Sequence, residues 1–201
     1  MKTIKKSIIF ALALCSAIYS NVLAVDYTGC AVYRDGVASA GIDINWHSGI
    51  VISHDLDSSN AIAHMRGRRS GDDSESVSKS FFITNNTDFN NKFMGVYKNS
   101  SMQMMDSVYI AATARELVSQ NIQYVFLNRM DVFDIIAAKK EGVIKPTNVK
   151  SLRCDGLVEY CYSYNGLPIQ INISDPYDLQ YDSPVYYNPK TQAQSLTKIS
   201  D

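Results

Sequence analysis

The hydrophobic period changes from two to helical near Met102, and that change limits the possible folds more than any other feature. From Thr28 to Lys98 the sequence offers five short runs rich in β-branched and aromatic residues: Thr28 to Arg34, Ser48 to Ser53, Ala61 to Met65, Val77 to Thr84 and Lys92 to Lys98. Clusters of Asp, Asn, Ser and Gly separate them, the pattern of strands joined by turns. From Met102 the period becomes helical. Met105, Val108, Ala112, Arg115, Leu117 and Val118 draw a stripe broken once, with Ala111 to Ala114 supplying strong helix formers. Strands followed by helices rather than alternating with them predict an α+β domain.

Five further segments complete this reading. Asp131 to Glu141 has a helical pattern closed by Gly142 and Pro146. A helix starting at Cys154 puts Cys154, Leu157, Val158 and Cys161 on one face and stops at Asn165-Gly166. Leu167 to Ile173 alternates well enough for a last strand, and the Tyr-, Pro- and Asn-rich tail from Asp175 reads as irregular. Arg66 to Glu75, basic then acidic, reads as a solvated hairpin loop.

At the N-terminus, Lys2, Lys5 and Lys6 precede an apolar run from Ile8 to Ile18 that ends in small residues near Val22-Leu23-Ala24. This predicts a signal peptide over residues 1–24, and hence an exported, periplasmic or extracellular protein. The run is shorter than the roughly 20 apolar residues of a spanning helix, and no later stretch approaches that length, so no integral membrane span is expected. Residues 25–201 are the size of one domain. Without the three leader lysines, 16 basic residues stand against 20 acidic ones, a mild acidity spread along the chain that argues against a nucleic-acid partner. Sequons at Asn85, Asn99 and Asn172 matter only in a eukaryotic secretory pathway.

Three cysteines follow the leader: Cys30, Cys154 and Cys161. On one helix, residues 154 and 161 lie about 10.5 Å apart, beyond disulfide reach, so only Cys30 could pair with either. The odd count leaves at least one thiol free, in a compartment where free thiols are uncommon. A cysteine in the first turn of a helix is placed to be activated, because free amides and a nearby imidazole favour the thiolate. The Cys154 N–H is also a candidate oxyanion donor.

Any imidazole partner comes from His47, His54 or His64. Alternation along the strand puts His47, Gly49 and Val51 on one face and Ile50, Ile52 and His54 on the other. A hairpin near Asp57 would bring His64 beside His47 in one register and turn it away in the next. A zinc site of three histidines and a cysteine is argued against by the opposed faces of His47 and His54 and by the lack of Cys-x-x-Cys or His-x-x-x-His spacing. No metal or cofactor is expected.

Together, N-W-H-S-G-I-V-I-S at 45–53, N-A-I-A-H at 60–64 and R-C-D-G-L-V-E-Y at 153–160 resemble the signatures of the circularly permuted NlpC-type cysteine hydrolases (YiiX/YebB-like), more distantly lecithin:retinol acyltransferase. The Ala-rich helix and Gln123-Tyr124-Val125-Phe126 resemble the segment that precedes the cysteine in that family, so the likeness spans most of 42–166. Val125 replaces the usual acidic residue, and Arg153 and Asp155 replace the commoner neighbours of the cysteine.

The resemblance implies an α+β, circularly permuted papain-like fold, an antiparallel sheet packed against helices with the Cys at the N-terminus of a late helix. It implies Cys154 as nucleophile, His47 as base and His64 as third polar residue. The expected activity is that of a cysteine amidase or peptidase acting on a peptide or acyl-amide substrate, with cell-wall peptide as a candidate. The alternatives are a lipid acyl hydrolase or acyltransferase using the same triad, and a non-catalytic secreted binding domain making contacts through Tyr177, Tyr181, Tyr186 and Tyr187.

Overall fold

The structure, a computed structural model, describes residues 25–35, 46–54, 61–65, 77–80, 93–120, 122–125, 128–178 and 187–200. The expected signal peptide, the 66–75 loop, the hairpin near Asp57, and Tyr181 and Tyr186 lie outside these residues. In chain order the elements are β1 (Ala31–Asp35), β2 (Trp46–Val51), β3 (Ile62–Met65), β4 (Val77–Ser80), β5 (Phe93–Lys98), α1 (Met104–Ser119), β6 (Gln123–Tyr124), β7 (Met130–Val132), α2 (Ile135–Glu141), β8 (Val149–Leu152), α3 (Cys154–Tyr164), α4 (Pro189–Gln194) and β9 (Thr197–Ser200). A 3-10 turn, Pro146–Asn148, precedes β8.

Six strands form one antiparallel sheet in the order β4-β3-β2-β1-β5-β9. A smaller sheet sets β8 between β6, which is parallel to it, and β7, which is antiparallel. The chain is thus α+β, an antiparallel sheet packed against helices. Tyr33, Ile50, Ala63 and Met65 pack in one cluster with Ile110, Ala114 and Leu117 of α1 and Leu157, Val158 and Cys161 of α3. Val32, Val51, Ile62 and Val96 form a second buried cluster with Cys30. Register pairs Ala31 with Ile50 and Tyr33 with Ser48, so the period of two sorts these residues onto two faces of the sheet. Among the described residues no helix is long and apolar enough to cross a membrane.

Four expectations change. On α1 the buried face is Ile110, Ala111, Thr113, Ala114 and Leu117, whereas Met105 and Val108 are exposed. The helix expected from Asp131 starts only at Ile135. Asp131 and its neighbours pair with β8, the Ser151 hydroxyl donates to Asp131 Oδ2 at 2.8 Å, and Asp134 caps α2 by accepting from the Ala137 N–H at 2.9 Å. Leu167 to Ile173 forms no strand, because the Ile169, Gln170 and Ile171 N–H groups all donate to Glu159 Oε1, at 2.8, 2.9 and 3.4 Å. Finally, the tail is not irregular throughout. Asn188 caps α4, and β9 adds to the edge of the main sheet beside β5.

Candidate active site

The site is built where β8 runs directly into α3. Arg153 is the extended N-cap residue, its N–H donating to the Arg129 carbonyl at 2.9 Å, and Cys154 is the first helical residue. Gly156 permits this approach. A Cβ there would stand 2.0 Å from the Arg129 carbonyl oxygen. The cysteine is therefore fixed at the helix start by backbone packing.

Beneath the helix start lies a fully buried charged cluster that motif reading misses. Asp155 receives Arg153 at both oxygens, Nε to Oδ1 at 2.5 Å and Nη2 to Oδ2 at 2.8 Å, and Arg129 Nε at 2.9 Å. Arg129 Nη1 reaches Glu159 Oε2 at 3.5 Å, its Nη2 donates to Gln170 Oε1, and its guanidinium lies 4.8 Å from the centre of the Tyr187 ring. Gln192 donates to the Asp155 carbonyl at 3.0 Å and to Glu159 Oε2 at 3.1 Å, and its own carbonyl accepts from the Tyr33 hydroxyl at 3.1 Å. Two guanidinium groups thus face two carboxylates, the arrangement that lets charges remain buried. Burial pushes the Asp155 carboxyl up, but Arg153 and Arg129 outweigh it and hold it below the usual range. For Glu159 burial wins over Arg129 and the donated N–H groups, and its carboxyl titrates above the usual range.

Cys154 is 7% exposed. The sequence predicts a thiol acidified by the helix start, and the structure finds the opposite. Burial, followed by the Asp155 carboxylate, raises the thiol to about 11, against the opposing pull of Arg153 and of the Ser48 N–H and hydroxyl. The resting cysteine is a neutral thiol. All three described cysteines are free and buried, so neither Cys154 nor Cys161 is paired with Cys30.

His47 and His64 meet. His47 Nε2 lies 2.8 Å from His64 Nδ1, with the rings edge to face and both side chains buried. Gly49 makes room for them, since a Cβ there would stand 2.7 Å from Ile62 Cγ2 and 3.1 Å from His64 Cβ. The register left open by the sequence is therefore the one in which the two histidines share a face. His54 is elsewhere: it is exposed, with Nδ1 2.9 Å from Asp26 Oδ1.

The residue that acts on the Cys154 thiol, Ser48, and the base candidate His47 are neighbours on β2. Alternation turns Ser48 and Ile50 toward the helices, and His47 and Gly49 to the other face of the sheet. The β2–β3 ladder joins only Ile50 to Ala63 and Val51 to Ile62. Beyond those pairs the Ser48 N–H and hydroxyl favour the ionised form of the Cys154 thiol.

A cavity of about 420 Å³ opens away from this site, lined by residues that include Ile122, Phe133, Val149 and Lys150. Among the described residues no three His, Cys, Asp or Glu side chains are grouped to hold a metal ion. Ser48, Arg129, Glu159 and Gln192 carry no spacing signal, because the partners that give them meaning are distant in sequence. No family model, curated protein or solved structure matches the chain.

Proposed function

We propose that the chain is an exported cysteine hydrolase of circularly permuted papain-like (NlpC-type) fold that cleaves an amide bond through Cys154, His47 and His64. The observation that carries this reading is the buried 2.8 Å contact between His47 of β2 and His64 of β3, next to Ser48, which acts on the Cys154 thiol. Two imidazoles in contact fix one another's tautomer. When His47 Nε2–H donates to His64 Nδ1, the lone pair on His47 Nδ1 is left as the base.

In this reading the His47 ring must reach the sulfur from the other face of β2, where the β2–β3 ladder ends at Ile50–Ala63, and its Nδ1 then takes the thiol proton as the sulfur attacks a carbonyl carbon. The S–C bond forms and the C=O π pair moves onto oxygen, where the Cys154 N–H is the donor. Collapse restores the carbonyl and breaks the C–N bond, with the imidazolium protonating the departing amine. Water then attacks the thioester, giving a proton to His47 that returns to the sulfur as the acid leaves. The raised thiol supports proton removal during attack rather than a standing thiolate–imidazolium pair. With export, cell-wall peptide is the first substrate class to examine.

The test is a peptidyl vinyl sulfone with the purified protein, adducts being located by mass spectrometry. Modification confined to Cys154 in wild type and lost in His47→Ala is expected. No adduct at Cys154, or one indifferent to His47, would move the assignment to a non-catalytic binding domain.

A further inference from the structure

Ser48 is fully buried, yet its hydroxyl has no hydrogen-bond partner of regular geometry. Leaving a buried hydroxyl unpaired is costly, so such a group calls for a reason. Its surroundings supply one. Register sets Ser48 opposite Tyr33, whose hydroxyl donates to Gln192 and is not a partner of Ser48 Oγ. Both the Ser48 N–H and the hydroxyl bear on the Cys154 sulfur, at the start of an 11-residue helix. A neutral thiol is a weak acceptor, whereas a thiolate is a strong one. The hydrogen bond missing at rest is therefore one that forms when the sulfur becomes charged, the kind of interaction that lowers a barrier rather than tightening the ground state.

We propose that Ser48 is a further catalytic residue, whose hydroxyl and N–H together receive the Cys154 thiolate as its proton is withdrawn. This rests on Cys154 being the nucleophile of the reading above. Ser48 Oγ keeps its own proton throughout. The proton that moves is the thiol's, and the sulfur gains two donors that face it from β2 while α3 approaches from its N-terminal end.

The experiment is the rate of iodoacetamide labelling of Cys154 at pH 9 in wild type, Ser48→Ala and His47→Ala, read by mass spectrometry. Losing one hydrogen bond to a charged acceptor slows Ser48→Ala about tenfold, with thermal stability equal to or above wild type because an unpaired hydroxyl is gone. An unchanged rate overturns the proposal. Should the alanine variant not fold, Ser48→Thr and Ser48→Val decide the same question, since they differ only in the hydroxyl. A threonine variant that labels faster than the valine variant supports the role, and equal rates overturn it. Slowing in Ser48→Ala but not His47→Ala would remove the triad and keep the Ser48–Cys154 interaction. The reverse would keep the triad and remove Ser48.

Discussion

Arg129 donates through Nε to Asp155 Oδ2 at 2.9 Å with both side chains sealed from solvent, 1% and 0% exposed, and this bond ties the loop before β7 to the first turn of α3. Because Arg153 also clasps Asp155, removing that one carboxylate takes away the anion that both buried guanidinium groups share. Asp155→Ala is expected to cost about 3–5 kcal/mol, the range for breaking a buried pair from one side, as measured by urea unfolding.

The same cluster sets a dependence on pH. Asp155 titrates below its ordinary 3.8, so its stabilisation is complete above that value and is lost as pH falls through it. Glu159 titrates above its ordinary 4.5, so the unfolded chain releases that proton first and stability declines as pH rises from 4.5 through the folded value. The cluster's contribution should therefore peak on the acid side of neutrality. Urea midpoints recorded against pH should show both limbs in wild type, and Asp155→Asn should lack the low-pH limb.

Cys154, raised to about 11, should react as a thiol whose ionised fraction grows about tenfold per pH unit between 7 and 11. Alkylation of the folded protein is expected to be slow at neutral pH and to reach Cys154 before Cys30, whose thiol burial raises further, to about 12. Folding stability should decline from pH 9 upward, where the unfolded thiol ionises first. Fast neutral labelling of folded protein would contradict this.

In the proposed reading His64 holds the His47 ring and tautomer. His64→Ala should keep the fold and reduce the peptidyl vinyl sulfone reaction about tenfold, the worth of one buried hydrogen bond, and His64→Asn should recover part of it. A rate equal to wild type would mean that the 2.8 Å contact is structural only.

Two glycines separate the effects of space and of backbone angle. Gly156→Ala drives a Cβ to 2.0 Å from the Arg129 carbonyl, so the helix start or the loop must move, costing about 1–3 kcal/mol and disordering the Cys154 site. Gly166→Ala meets nothing within 4 Å and carries only the strain of φ +78°, about 1–2 kcal/mol, with Cys154 reactivity unchanged. Thermal melts and thiol labelling of both variants check the contrast.

Much of this architecture can be read from local pattern. The alternation at Ser48 to Ser53, the helix formers at Ala111 to Ala114 and the run beginning at Cys154 are short-range properties, set by neighbours within a few residues, and β2, α1 and α3 appear where those signals lie. The period of two also puts His47 and His54 on opposite faces before any tertiary contact is known.

What tertiary structure alone decides is everything that depends on a distant partner. Asp131 reads as helical until β8 offers it a ladder, and Leu167 to Ile173 reads as a strand until the Glu159 carboxylate takes three of its N–H groups. The tail reads as irregular, but Gln192 is bonded to Asp155 and Glu159, more than thirty residues earlier. At the site, sequence supplies a cysteine at a helix start and three histidines. The register of β3 selects which two imidazoles meet, and burial beside Asp155 turns an expected thiolate into a thiol. Local sequence fixes φ, ψ and side-chain period, whereas register, burial and charge pairing are properties of surfaces that exist only once distant segments are packed together.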